Sequence, residues 1–421
     1  MPSRIFVTGM GLISGLGNNV QENLDSLLHL RSPIGPIKHI ETSLKGELAV
    51  SEVFRSNEEL MRDAGCGMQD VGCRMQDAGC GMRDAGCGQV YSRNALLGMI
   101  AAKEAFSHAR LNLFPDLRTG LISGTTVGGM DECEKHYQDF LTNDSKNEYI
   151  GIYDCADSTE KISDYLGIKG FLTTISTACS SAANAILFAA RMMKAGKLDC
   201  AIAGGCESLT KFHLNGFNAL KILDKLPCRP FDASRGGINL GEGAAYLVLE
   251  TEETNKITGN TVICELTGFG NACEAFHQTA SSPDGIGAYM AMKKALDMSG
   301  ESPDDVDYIN AHGTATDNND LSEGRAIEKL FTGKIPFVSS TKPFTGHMTS
   351  AAGSAEAIIS ILGLQHGIVW PNMNFSTPMP ELKFRPVVEL IRGLDLKVVM
   401  SNSFGFGGND TSLIFKKYGI H

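Results

Sequence analysis

A short apolar strand, a turn of small polar residues and an alanine-rich helix follow one another twice in this chain. That recurrence constrains the fold more than any other feature. In the first half, Phe171 to Ile175 reads as the strand and Ser176-Thr177-Ala178-Cys179-Ser180-Ser181 as the turn, with a helix running to about Lys194. In the second half, Val338-Ser339-Ser340 leads through Thr341-Lys342-Pro343-Phe344-Thr345-Gly346-His347 into a helix from Ser350 to Leu364. β-branched runs that break at Gly and Ser favour strands, and alanine is the best helix former.

Other pieces echo each other in the same order. Arg4 to Thr8 runs into Gly9, as Val262 to Phe269 runs into Gly270. Leu121 runs into the turn ending at Gly129, as Tyr308-Ile309-Asn310-Ala311 runs into His312-Gly313-Thr314-Ala315-Thr316. Thr251 to Gly259 reads as a polar linker between two halves, 1–250 and 251–421. Further helices are expected at Asn19–Leu30, Ala95–Ala109 and Tyr289–Met298, and strands at Thr119–Ser123, Asp199–Cys206 and Ala244–Glu250. A mobile polar segment is expected between Gly129 and the Cys179 unit. The pattern predicts an α/β fold built by duplication, with one site where equivalent strands end.

Composition excludes several functions. Lys and Arg total 37 against 48 Asp and Glu, and the net charge of −11 argues against nucleic acid as a partner. No apolar run approaches the ~20 residues that span a bilayer. The start, Met1-Pro2-Ser3-Arg4, passes at once into an apolar run, so no leader is expected. None of the 12 cysteines forms a Cys-x-x-Cys pair. Reduced thiols in a cytoplasm, with no metal site, are the expectation. Gly9-Met10-Gly11-Leu12-Ile13-Ser14 resembles a dinucleotide fingerprint only in part, because Ser14 stands where a third glycine is needed.

Residues 61–88 stand apart. Met61-Arg62-Asp63-Ala64-Gly65-Cys66-Gly67 recurs three more times with small changes, placing cysteines at 66, 73, 80 and 87. The heptads lack an apolar a/d pair, and the cysteines lack the close spacing of zinc sites. A tandem expansion forming a surface loop, with short helical turns, is the expected structure.

Cys179 sits at the strand-to-helix break, where unpaired N–H groups favour a thiolate. It reads as a nucleophile, or else as a small buried cysteine. His312 and His347 lie in comparable turns, with Lys342 five residues before His347. Cysteine with histidine suggests acyl transfer, since a thiolate accepts and releases acyl groups readily. Two histidines without an acidic orienter suit a thioester enzyme better than a protease.

Six motifs in order then carry a resemblance. They are Val7-Thr8-Gly9-Met10-Gly11, Thr177-Ala178-Cys179-Ser180-Ser181, Arg229-Pro230-Phe231-Asp232, Ala311-His312-Gly313-Thr314, Thr341-Lys342 with Gly346-His347, and Asn402-Ser403-Phe404-Gly405-Phe406-Gly407-Gly408. The chain resembles the β-ketoacyl–acyl carrier protein synthases, and most of all their elongating group, over its whole length outside 40–90. The resemblance implies a thiolase-like fold of five layers, αβαβα, made of two duplicated halves and usually homodimeric. It implies that Cys179 takes an acyl chain from acyl carrier protein. His312 and His347 would then assist decarboxylation of malonyl-carrier protein, with no cofactor. The oxyanion hole would be the N–H groups of Cys179 and Phe404. Lys342 matches the family lysine and Glu323 its acidic partner, as a structural pair or a catalytic one. Thr314 and Thr316 match positions on the pantetheine arm. Phe404 matches the gate of the acyl pocket and Val127 the residue packed against it. Val127 is smaller than the family's usual Ile, which suggests a relaxed limit on chain length.

The chain also departs from the family. Arg235-Gly236-Gly237-Ile238 stands for the usual Arg-Asp-Gly-Phe, and Gly408-Asn409-Asp410 for Gly-Gly-Thr-Asn. Carrier-protein docking would fall to Lys211, Lys221 and Lys225, unless these are ordinary solvated lysines. A specialised polyene or polyketide pathway is therefore an alternative to fatty acid elongation. A silent partner subunit is a second alternative, opposed by the presence of Cys179. A thiolase acting on coenzyme A thioesters fits Lys342 and the two histidines less well.

Overall fold

The computed structural model describes residues 4–66, 90–143 and 147–419. Ten strands form two five-stranded sheets. The first sheet holds β1 (Ile5–Ser14), β4 (Thr119–Gly124), β5 (Leu172–Ile175), β6 (Cys200–Glu207) and β7 (Gly243–Thr251). The second holds β8 (Cys264–Cys273), β9 (Tyr308–Asn310), β10 (Phe337–Ser339), β11 (Val398–Gly405) and β12 (Asn409–Lys416). A two-residue ribbon, β2 (Gly35–Pro36) with β3 (Ala49–Val50), lies outside both.

The sheets share one topology. Across the first, the order is β1-β7-β6-β4-β5, and across the second it is β8-β12-β11-β9-β10. In each, the chain's first strand neighbours its fifth, then come the fourth, the second and the third. The first two pairings are antiparallel and the last two parallel in both sheets. The sheets join through two residue pairs, Phe6 with Glu265 and Val7 with Cys264.

Helices α7 (Ser181–Lys194) and α13 (Ala352–His366) pack on each other and fill the space between the sheets. Both follow the third strand of their half. Every residue of α13 from Ala352 to Leu364 is buried, as expected of a helix that is apolar all round. Ile358, Ile359, Ile361 and Leu362 lie in the central core, each contributing about 1.5–3 kcal/mol relative to exposure. On the outer face of the first sheet lie α3 (Arg93–His108) and α6 (Cys155–Leu166). On the outer face of the second lies α10 (Ile286–Ser299), with α11 (Asp317–Leu330) beside it. The result is the five-layered αβαβα arrangement of the thiolase fold. Among the described residues, no helix is long and apolar enough to cross a membrane.

Three expectations need correction. The segment expected to be mobile and polar holds α4 (Met130–Asn143), α5 (Asn147–Gly151) and α6. Asp154 caps the start of α6 through the Ala156 N–H, and Gly167 closes its end at φ +69°. The expected linker is α9 (Glu252–Thr258), with Thr251 as its N-cap, two glutamates in the first turn and Lys256 in the last. Those capping residues are legible in the sequence; the polar composition hid them. The described part of the 61–88 repeat, residues 61–66, is not surface loop. It ends α2 (Asn57–Ala64), which begins in a Ser56/Glu59 capping box, and Cys66 beyond it is buried. The rest of the repeat, with Cys73, Cys80 and Cys87, lies outside the described residues.

Candidate active site

The turn that presents Cys179 is stitched by its own side chains. Ser181 Oγ accepts the Thr177 N–H at 2.9 Å and donates to the Ala178 carbonyl at 2.6 Å. Ser180 Oγ donates to the Thr177 carbonyl at 2.8 Å. Ala178 is held at φ +52°, a left-handed conformation unusual for a residue with a Cβ. The end of β11 comes so close that a Cβ at Gly405 would lie 2.8 Å from the Thr177 carbonyl oxygen. A third element ties the two together. The side-chain oxygen of Asn409 accepts from Ser180 Oγ at 3.1 Å, Asn184 Nδ2 at 2.7 Å and Asn271 Nδ2 at 2.8 Å.

The second half supplies the basic groups. β10 leads into a one-turn helix, α12 (Lys342–Thr345), and Gly346 then turns the chain at φ +67°. His347 follows, fixed by its N–H to the Asn239 carbonyl at 2.7 Å. Its Nε2 lies 3.1 Å from Cys179 Sγ. His312 stands just past the end of β9, its ring centroid 5.4 Å from that of His347. Lys342 Nζ donates to the His312 carbonyl at 2.5 Å and to Glu356 Oε1 at 2.5 Å, and lies 3.3 Å from His312 Nδ1. An ammonium only donates, so Nδ1 is an acceptor and the His312 ring proton sits on Nε2.

Two expected assignments change here. Glu323 does not pair with Lys342. Its carboxylate accepts the N–H groups of His312 and Gly313, at 2.9 and 2.8 Å, and Asn402 Nδ2 at 3.1 Å. The partner of Lys342 is Glu356, on α13. Second, the N–H aimed at Cys179 beside its own is that of Phe406, not Phe404. Phe404 is still inside β11, paired with Asp410, and its buried ring lies 5.9 Å from His312. Phe406 lies beyond the strand, where its N–H has no ladder partner to serve. Its ring stacks on Phe217 with centroids 5.9 Å apart.

Burial sets the charge state. It pushes the Cys179 thiol up to about 11, against the opposing pull of Lys342 and the Phe406 N–H. The expected thiolate at the helix start is therefore not the resting form: desolvation outweighs the helix dipole. Burial, with Lys342 nearby, holds His312 and His347 well below the usual imidazole range. Burial also raises Glu356 to about 7, despite its ammonium partner. The resting site is thus a neutral thiol facing neutral imidazoles, with one buried ion pair behind them.

A cavity of about 190 Å³ opens from these groups to the surface. Thr314, Thr316, Phe404, Phe406 and Gly236 are among the residues that line it, and Thr314 Oγ1 lies 2.9 Å from Thr316 Oγ1. Of the candidate docking lysines, Lys221 reaches its rim, whereas Lys225 pairs with Glu47 at 3.6 Å. Val127 is buried and is not among the residues that line this cavity, and its N–H is turned to Glu207. The ligand atoms of Cys179, His312 and His347 lie within 4.8 Å of one another, close enough to hold a metal ion. The Lys342 ammonium against His312 opposes a cation there.

Glu356 and Phe217 were not singled out from the sequence, and Phe406 and Asn409 stood there only within the last motif, with no role of their own. Glu356 had a signal, as the one charged residue between Ser350 and Leu364.

A thiol beside two imidazoles, on strand ends of a duplicated αβαβα fold, defines an acyl-transferring enzyme of the thiolase fold. The family described as "Beta-ketoacyl synthase, N-terminal domain" matches residues 2–255, and "Beta-ketoacyl synthase, C-terminal domain" matches 263–376. The chain belongs to the β-ketoacyl synthase family. It is 32% identical over 433 aligned residues to 3-oxoacyl-[acyl-carrier-protein] synthase 2 of Staphylococcus aureus, covering 99% of this chain and 98% of that one. It is 33% identical over 426 to nodulation protein E of Rhizobium meliloti, covering 99% and 100%. Among solved structures, the ishigamide ketosynthase/chain length factor superposes with a TM-score of 0.88 at 26% identity, covering all of both chains. The ketosynthase ApeO with its chain length factor ApeC, from Xenorhabdus doucetiae, gives 0.79 at 29% identity, covering 99% and 98%.

Proposed function

We propose that this chain catalyses the decarboxylative condensation of malonyl-acyl carrier protein with an acyl group held on Cys179, yielding a 3-oxoacyl-carrier protein two carbons longer. The single observation that carries this reading is the 3.1 Å approach of His347 Nε2 to Cys179 Sγ, with His312 completing the same pocket. The incoming thioester supplies the acyl group. Its carbonyl carbon is attacked by sulfur as the thiol proton passes to Nε2 of His347; the bond to the carrier sulfur breaks, and that thiolate takes a proton from solvent, so His347 keeps the proton on Nε2. The developing oxyanion would be held by the N–H groups of Cys179 and Phe406.

The malonyl thioester then takes the vacated cavity, with Thr314 and Thr316 along the pantetheine arm. Loss of carbon dioxide leaves an enolate, whose oxygen would accept from Nε2 of His312 and His347. Lys342 keeps Nδ1 of His312 an acceptor, so that the proton points the useful way. Glu323 fixes the backbone under His312. The enolate carbon attacks the acyl thioester, and the Cys179 sulfur is released as thiolate and takes its proton back from His347.

The partner is acyl carrier protein, a reading supported by the names of the relatives, and Lys221 is the docking lysine placed at the mouth. Halves 1–250 and 251–421 would act as one unit, in a cytoplasmic homodimer. A second reading is a ketosynthase of a polyene or polyketide pathway, paired with a chain length factor. The solved structures of that kind favour it, as do Gly236-Gly237-Ile238 along the cavity wall.

Intact mass spectrometry after mixing with a panel of acyl-carrier proteins tests the proposal, with Cys179→Ala as control. One acyl adduct, absent from the variant, is expected. The preferred chain separates elongation from a specialised pathway, and no adduct from any chain overturns the reading.

A further inference from the structure

Asp410 occupies the place where the family motif ends in asparagine, and its surroundings are acidic. It lies on β12, opposite Phe404. An added Cβ at Gly287 would stand 2.2 Å from Asp410 Oδ2 and 2.9 Å from Glu274 Oε2, so the two carboxyl groups crowd one small space. Glu274 takes the donors available there: the Ser282 N–H at 2.8 Å, Ser282 Oγ at 2.7 Å and the Gly287 N–H at 3.1 Å. Among the described residues, none donates a hydrogen bond to the Asp410 carboxyl.

The neighbours do not compensate a charge. β8 and the segment after it contribute Glu274, α11 contributes Glu323, β11 contributes the Phe404 ring, and α10 contributes its N-terminal backbone at Gly287. The charged groups that bear on Asp410 are the two acids, and with burial they raise it to about 8. An ionised Asp410 would be a buried charge against like charges, the most expensive arrangement available to it.

This pair sits under the mouth of the cavity. The Glu274 N–H donates to the Gly408 carbonyl at 3.1 Å, and the Gly407 N–H to the Gln278 carbonyl at 2.8 Å. Thr279, Ala280 and Ser281 line one side of the cavity and Gly405 to Gly408 another. Phe406, whose N–H is aimed at the Cys179 sulfur, belongs to the second of these.

We propose that Asp410 is a positioning residue that works as a neutral acid, letting segments 274–283 and 405–408 close against each other, and that its ionisation drives them apart and withdraws the Phe406 N–H from the reacting sulfur. The effect on turnover rests on the condensation reading above; the effect on the two segments does not.

The test compares wild type with Asp410→Asn, which fixes a neutral group of the same shape. Condensation is followed from pH 6.5 to 9.5, and hydrogen–deuterium exchange of both segments is measured in the full chain, corrected for the intrinsic effect of pH. Wild-type turnover is expected to fall about tenfold from pH 7 to pH 9, as one group near pH 8 ionises. Exchange in both segments should rise over the same range. Asp410→Asn should keep its pH 7 turnover at pH 9 and show no rise in exchange. A limb unchanged in the variant, or exchange that ignores pH in wild type, overturns the proposal. Loss of condensation in both proteins at every pH counts against the catalytic reading alone, and exchange then decides the role of Asp410. Where Asp410→Asn does not fold, Glu274→Gln removes the opposing charge instead. It should abolish the rise in exchange, and a persisting rise again overturns the idea.

Discussion

The turn after the third strand is five residues long in the first half, 176–180, and twelve in the second, 340–351. Both lead into the central layer. The short turn has no room for regular structure. It closes with two serine hydroxyls, forces Ala178 into a left-handed conformation and delivers an uncharged thiol. The long turn folds one helical turn and a 3₁₀ turn, Thr349–Ala351, and so delivers an ammonium and an imidazole. It also brings the counter-ion, since Glu356 lies one turn into α13. The difference shows how one duplicated backbone yields two complementary chemistries: length, not topology, decides whether the turn stores strain or charge.

The charged turn should be the more fragile. Lys342→Ala leaves Glu356 buried without its partner, and a loss of about 3–5 kcal/mol in denaturant unfolding is expected at pH 8. The loss should shrink toward pH 5, because Glu356, raised to about 7 with its ammonium in place and freed of that pull in the variant, then takes up a proton. A loss independent of pH would mean that the pair is not what holds this turn.

His312→Ala separates the two turns by function. Condensation should fall by about 10²–10³, the usual effect of losing one donor to a developing oxyanion. The acyl adduct on Cys179, read by intact mass, should still form. Loss of both would place His312 in the first transfer as well.

The strained turn can be sharpened with its own thiol. Because burial raises Cys179 to about 11, alkylation by iodoacetamide should rise steadily with pH and reach no plateau below about pH 10. A plateau near pH 7 would restore the thiolate that the helix start alone suggests. The smallest effect is expected from Ala178→Gly, which relieves the left-handed residue and should stabilise the chain by about 0.5–1 kcal/mol in the same unfolding assay.

These contrasts also explain what could be read in advance. The strand–turn–helix units, Cys179, His312 and His347 were legible because local composition and motif spacing mark them. Partners across long separations were not. Lys342 meets Glu356 and Glu323 meets the His312 backbone only once α11 and α13 are placed. Phe404 and Phe406 are two residues apart, and only the end of β11 decides which N–H is free to face the sulfur. The charge state was misread for a similar reason: a helix start is visible in sequence, whereas the depth at which it is buried is not.

The Asn409 oxygen joins the halves close to the sulfur, drawing on Ser180 and Asn184 from one and Asn271 from the other. Nucleophile and bases therefore lie on opposite banks of a seam that a few hydrogen bonds keep shut. Slipping of the banks by about 1 Å can cost ~10²-fold in rate while leaving both sheets whole. Heating this enzyme should silence it before it unfolds, and cooling should bring the activity back.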